Sequence, residues 1–237
     1  MRFTNEMNYV VPDIHNDNDR FSRLIERINP RPEDHIFLLG DLFDRCSYNP
    51  DPVGVYFSVL SLGDKCTVVS GNHDRWLAEY IREYYGTKER KRKKLPAYYY
   101  NSFEIMTKRL TEADMLALAE WLLSLPLQYE IVVNDSKMLL AHAMTSDPTV
   151  KKDDIYYLLG EGNEDVFYKS GIEGYVSFCG HSSSSFFSRY GGEYLDGSSS
   201  IWRNDRKNLY MMDCGCGYAD GKLACLCLED MRSMYEE

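Results

Sequence analysis

The sequence has no apolar run approaching the roughly 20 residues that a membrane-crossing helix needs, and residues 1–8 hold no apolar segment of the kind a secretory leader carries. A soluble, intracellular, cytoplasmic protein is expected. Positive charge is also in short supply: 37 acidic side chains face 27 basic ones, for a formal net charge of −10. Such an excess repels a polyanion, so nucleic acid is disfavoured as the default partner. Seven cysteines, an odd number, do not make a complete disulfide framework and point to reduced thiols. Cys214 with Cys216, and Cys225 with Cys227, skip one residue each, which on a strand sends both sulfurs to one face and is closer than the usual pairing in structural zinc sites. They are expected to be packing residues. Histidine is scarce, with five in 237 residues.

Four of those five fall inside short polar motifs: Asp13-Ile14-His15, Gly40-Asp41-Leu42-Phe43-Asp44-Arg45, Gly71-Asn72-His73-Asp74, Ala141-His142-Ala143 and Gly180-His181-Ser182. Carboxylate, imidazole and amide oxygen gathered from separated pieces are what a two-metal centre needs, because hard oxygen donors with imidazole suit Mn, Fe or Zn.

The spacing of apolar residues says where these motifs sit. Short apolar runs at 9–11, 35–39 and 67–69 each end at one of the first three motifs, and Phe21, Leu24, Ile25 and Ile28 recur at helical spacing. A strand–loop–helix unit repeated three times implies parallel strands with loop chemistry at their carboxyl ends. From 76 to 125 the pattern is helical: Thr111 with Asp114 reads as a capping box, and Met115, Leu118, Ala119 and Leu122 as a buried stripe. Beyond Pro126, strands at 127–133 and 137–141 form a hairpin delivering His142. A strand at 175–179 delivers His181, and 209–213 with 222–228 reads as a last hairpin around Ala219-Asp220-Gly221. The fold class expected is α/β (α+β), one domain over 1–237 with two sheets face to face, helices outside and a mainly helical insertion at about 76–125. Residues 88–94 hold six basic side chains, Glu89 being the exception, with Tyr84, Tyr85, Tyr98, Tyr99 and Tyr100 nearby. This is either a solvated helix end or a patch drawing an acidic phosphopeptide, a nucleotide or an RNA end, with aromatic faces able to stack a base.

The order and wording of the five motifs resemble the calcineurin-like metallophosphoesterases, from residue 10 to about 229. Within them the chain is similar to the phosphoprotein-phosphatase branch, with its bacterial and phage serine/threonine phosphatases, and to the symmetrical dinucleoside tetraphosphatases. The resemblance implies a sandwich of two mixed β-sheets flanked by helices, holding two divalent ions, Mn first, with Fe or Zn as alternatives. Asp13, His15 and Asp41 would ligate one ion and Asp41, Asn72, His142 and His181 the other, so Asp41 bridges. A shared metal-bound hydroxide would attack phosphorus. His73 would protonate the leaving group, Asp44 would orient His73 and keep it protonated, and Arg45 would bind the phosphoryl oxygens. Asp74 is expected to be structural or to support the ligands from behind. Pro12, Asn16 and Cys46 stand where the family has glycine, which alters loop geometry but removes no ligand. The family's second phosphate-binding arginine has no counterpart at 156–169. Arg189 and Lys169 are its candidate replacements, with Arg189 preferred for its bidentate fork and the reach of the serines at 182–185.

The activity expected first is phosphomonoester hydrolysis in the manner of a serine/threonine phosphatase. A dinucleoside tetraphosphatase or other nucleotide pyrophosphohydrolase is the alternative enzyme, and a noncatalytic phosphoesterase-like scaffold is the alternative from another class, opposed by the intact ligand set. The substrate is then a phosphorylated protein or a nucleotide.

Overall fold

A computed structural model describes residues 6–162 and 164–237, so the first five residues of the leader reading lie outside the described residues. The three repeated units build one sheet. β1 (Asn8–Val11) pairs in parallel with β2 (His35–Leu38), and β2 with β3 (Cys66–Val68). The crossovers are α1 (Asn18–Ile28) and α2 (Pro52–Leu62). Each starts at an aspartate whose side chain accepts a first-turn amide: Asp17 from Arg20 N–H, Asp51 from Gly54 N–H.

The helical stretch becomes α3 (Asn72–Gly86), α4 (Glu89–Arg92), α5 (Ser102–Met106) and α6 (Glu112–Ser124). The Thr111–Asp114 capping box is present, and Met115, Leu118, Ala119 and Leu122 are buried as the stripe predicts. Within the basic run, Arg92 lies over the rings of Tyr84 and Tyr85 and faces Glu112, while the other cations are exposed.

The second sheet contains β4 (Gln128–Val133), β5 (Ser136–Ala141), β6 (Val176–Cys179), β7 (Glu193–Tyr194), β8 (Trp202–Arg203) and β9 (Leu209–Met211), in the order β4-β5-β6-β9-β8-β7. β5, β6 and β9 are parallel and the remaining pairs antiparallel. α7 (Asp154–Leu159) and α8 (Glu164–Ser170) connect β5 to β6.

The last expected hairpin is not one. β9 ends in the second sheet, while β10 (Leu223–Cys227) lies in the first, antiparallel to β1 and to β11 (Ser233–Glu236). Every residue of β10 is buried, which demands cover on both faces and a paired neighbour on both edges. The chain between β9 and β10 therefore crosses from sheet to sheet, carrying Cys214 and Cys216. These two lie off the strands, separated by Gly215 at φ +83°, and pack into different core layers. Cys225 and Cys227 do share one face, and all seven cysteines are free.

Two-residue periodicity builds the layers. Tyr9, Val11, Ile36 and Leu38 face the helices with Phe21, Leu24 and Leu77, whereas Val10, Phe37 and Leu39 face Leu140, Phe178 and Tyr210 of the other sheet. Phe167, Phe187 and Trp202 cover the second sheet's outer side. Two mixed sheets packed face to face with helices outside match the expectation. No helix among the described residues is long and apolar enough to cross a membrane.

Candidate metal centre

The carboxyl ends of β1, β2 and β3 are stitched together by the backbone. Ile14 and His15 N–H both donate to Asp41 O, and Asn16 N–H to Leu42 O. Asp74 joins the next loop: its Oδ1 accepts Leu42 N–H at 2.9 Å and its Oδ2 accepts Gly71 N–H at 3.1 Å. Both bonds hold loop backbone beside Asp41. Burial, and after it the nearby Asp41 charge, push the Asp74 carboxyl up to about 7.

These connections bring five of the six predicted ligands into two clusters that share one residue. Asp13, His15 and Asp41 form one, and Asp41, His142 and His181 the other, with the ligand atoms of each within 4.8 Å of one another. Asn72 completes the second: its Oδ1 lies 2.9 Å from both His142 Nε2 and His181 Nδ1. The histidines are oriented from behind. His15 Nδ1 donates to Phe43 O at 3.0 Å and His142 Nδ1 to Leu39 O at 2.8 Å, which leaves each Nε2 lone pair turned toward the carboxylates. Asp13 accepts the His181 N–H on both oxygens, tying the first sheet's loop to the second's.

The donor set fits divalent cations. His15 Nε2 is buried with no hydrogen-bond partner, 3.9 Å from Asp13 Oδ1 and 3.8 Å from Asp41 Oδ2. Asn72 Oδ1 and two imidazole nitrogens likewise converge as lone-pair donors. Rotating that amide would let its NH2 donate to both rings, but the oxygen-inward orientation presents the hard donor a cation requires. Burial works against charge on His15, His142 and His181. It holds His15 down to about 3 and His181 to about 4, with His142 and Arg45 adding to the fall in His181. For His142, burial is overcome by Asp41 and Asp13, and its pKa rises to about 9. The same imidazole outweighs burial at Asp41 and holds that carboxyl well below the usual range. The pocket therefore accepts positive charge beside Asp41.

The remaining predicted residues flank this centre. Asp44 Oδ2 accepts both His73 Nδ1–H at 3.0 Å and the Tyr98 hydroxyl at 2.6 Å, leaving His73 Nε2 for a proton. His73 N–H donates to Asp41 Oδ1 at 2.9 Å. Arg45 is half-buried, its guanidinium 5.8 Å from the Tyr218 ring centroid and close enough to depress protonation of His15 and His181. Arg189 is exposed, and its Nη2 donates to the Tyr190 hydroxyl at 3.0 Å. No described hydrogen bond or ion pair joins it, or exposed Lys169, to the ligand clusters.

Two contributors escape the motif reading. Tyr98 is tethered to Asp44 by its hydroxyl, a role its apolar context conceals. Asp213 lies two residues beyond the end of β9 and is buried; burial and Asp13's charge push it up to about 8. The rule that placed His142 and His181 at parallel strand ends, applied to β9, would have found it. Two of the family's missing glycines also gain meaning: Asn16 sits at φ +62° and Cys46 at φ +46°, both left-handed, where glycine carries no Cβ penalty.

A family model described as calcineurin-like phosphoesterase matches residues 9–201. A symmetrical bis(5'-nucleosyl)-tetraphosphatase of Acidovorax sp. strain JS42 is 30% identical over 136 residues, 57% of this chain and 43% of that one. This chain thus spans less than half the length of that curated relative. Two solved structures superpose with TM-scores of 0.62. One, a candidate diadenosine tetraphosphatase, is 16% identical, with 100% of this chain and 95% of that chain covered. The other, a serine/threonine phosphatase from Saccharomyces cerevisiae with similarity to human PP5, is 13% identical, with 99% and 80% covered. At such identities these speak to the fold. Sequence match, fold and motif order agree, and the chain belongs to the calcineurin-like phosphoesterase family.

Proposed function

We propose that the protein is a two-metal hydrolase of nucleotide polyphosphates, splitting a dinucleoside polyphosphate at a phosphoanhydride bond. The observation that carries the two-metal reading is Asp41, common to both ligand clusters and flanked by His15 Nε2 at 3.8 Å and His142 Nε2 at 3.4 Å. Bound divalent ions, manganese first and iron or zinc as alternatives, supply Lewis acidity and charge neutralisation for phosphoryl transfer. Asp13, His15 and Asp41 would hold one, and Asp41, Asn72, His142 and His181 the other. Arg45 clamps two phosphoryl oxygens with its planar fork. His73, held through Nδ1 by Asp44, gives the Nε2 proton to the leaving oxygen.

The same centre serves phosphoprotein and nucleotide hydrolysis. The tetraphosphatase relative supports the nucleotide reading over the serine/threonine phosphatase one expected first. The free cysteines support a cytoplasmic setting. The test is hydrolysis in Mn2+ of diadenosine tetraphosphate, a phosphoserine peptide and a phosphodiester. The dinucleotide is expected to give the highest kcat/KM. A higher value for the peptide returns the protein-phosphatase reading, and no turnover of any substrate removes the enzymatic one.

A further inference from the structure

His73 is the second residue of α3, and Trp76, Tyr80 and Glu83 follow it at spacings of three, four and three. They therefore form one stripe running about 15 Å along the helix. The segment 96–100 lies along this stripe, fixed by the Tyr80 hydroxyl donating to Pro96 O at 2.9 Å and by the Tyr98 hydroxyl on Asp44. Between them is a groove of about 320 Å³, and Glu83 is the one charged residue among its described lining. Its near end is the candidate acid: the Tyr100 and Trp76 rings lie 4.3 and 5.1 Å from the His73 ring. Those two aromatic planes are within 3° of parallel, their centroids 6.1 Å apart. Trp76 is 37% exposed and Tyr99, at the rim, 88% exposed. Apolar area left open to water beside a buried charged centre marks a place where something flat and apolar is received.

We propose that this groove is the subsite for the purine base of the leaving nucleotide, which stacks on Trp76 and Tyr100 and donates its exocyclic amino group to Glu83. The inference rests on the nucleotide reading and on His73 as the acid. A group protonated by His73 departs on the His73 side, and the stripe leads from that atom to the aromatic faces. Parallel rings suit a base better than a peptide side chain, since every base has a π-face and stacking is sequence-tolerant. A carboxylate in the far wall suits adenine, whose amino edge donates, and not hypoxanthine, which has a carbonyl there.

The test is direct binding by calorimetry to the Mn2+-loaded protein of ADP, IDP and inorganic pyrophosphate, which lacks the base. The parent is expected to bind ADP more tightly than pyrophosphate. Trp76→Ala should cut that advantage by about 5- to 100-fold, the loss of one base–aromatic stack, and Trp76→Phe should recover most of it. Glu83→Ala should erase the preference for ADP over IDP. Equal affinity of the parent for ADP and pyrophosphate, or an ADP advantage unchanged in Trp76→Ala, overturns the subsite; an ADP preference surviving in Glu83→Ala overturns the role of Glu83. Failure of the functional reading looks different. A protein that binds ADP through Trp76 yet leaves diadenosine tetraphosphate intact keeps the groove and loses the activity, while one that cleaves the dinucleotide without any ADP advantage keeps the activity and loses the groove.

Discussion

Gly71→Ala tests how tightly Asp41, the candidate bridging carboxylate, is held. Gly71 has φ −94° and ψ 165°, which alanine adopts without strain, so the perturbation is purely one of space. A Cβ built there falls onto the Asp41 backbone nitrogen and Oδ1, inside the 3.0 Å that real Cβ atoms essentially never breach, and 3.0 Å from Asp41 Cα. The obstacle is backbone, not a flexible side-chain end. Restoring ordinary contact moves Asp41 by about 1 Å. Overpacking of this kind costs about 1–3 kcal/mol, which for a domain of this size lowers Tm by about 2–12 °C. The functional loss should exceed that, since a displacement of about 1 Å at reacting groups can cost about 10²-fold in rate. Calorimetry with chelator and with Mn2+ separates the two effects. In the parent, metal at 100 times its Kd adds about 2.7 kcal/mol, and the variant should lose most of that increment as well as its intrinsic stability. Gly86→Ala is the control, because nothing lies within 4 Å of a Cβ at that position. Unchanged melting with two metal equivalents still bound in Gly71→Ala would refute the reasoning.

His73→Asn should retain metal and lose about 10²–10⁴-fold on substrates with poor leaving groups, with p-nitrophenyl phosphate affected less; equal losses on both deny it the acid role. Arg189→Ala should leave kcat/KM within about twofold, as for surface changes generally, because its guanidinium is engaged by Tyr190; a tenfold loss restores it as a phosphate clamp. Asp34 accepts hydrogen bonds from Met7 N–H, Arg31 N–H and the Arg31 guanidinium. Burial opposes its charge, but these donors prevail and hold the carboxyl below its ordinary 3.8. Its stabilisation is therefore complete above pH about 4 and is lost as the pH falls through the lowered folded value. Asp34→Asn should cost about 1–3 kcal/mol at pH 7 and flatten the acid limb of a Tm-against-pH curve; an unchanged limb assigns acid sensitivity elsewhere.

The parallel half of the fold was legible because β1, β2 and β3 each write an apolar run ending in a polar motif, and parallel strand ends gather loops at one edge. β10 deceived for a physical reason. Ala219-Asp220-Gly221 is a good turn sequence, and turn chemistry says nothing about which sheet receives the strand that follows. β11 was missed because its four half-buried residues carry no strong alternation. The candidate ligand clusters were readable since few side chains bind metal and each kind announces itself. Tyr98 was not, because a tyrosine that stacks and a tyrosine that orients a carboxylate have the same sequence appearance. Asn16 and Cys46 could be seen to replace glycine, but their backbone conformation is set by contacts across three loops.

The candidate ligands come from both sheets: Asp13, His15, Asp41 and Asn72 follow strands of the first, His142 and His181 follow β5 and β6 of the second. Cations bound there would act as a clasp across the sandwich, and the clasp and the apolar filling beneath it would be thermodynamically one object. Coupling is reciprocal: whatever loosens the layer of Phe37, Leu140 and Phe178 would weaken metal binding without touching a candidate ligand, and metal withdrawn from the rim would loosen that layer in turn. Metal occupancy would thus report how well the two sheets fit together.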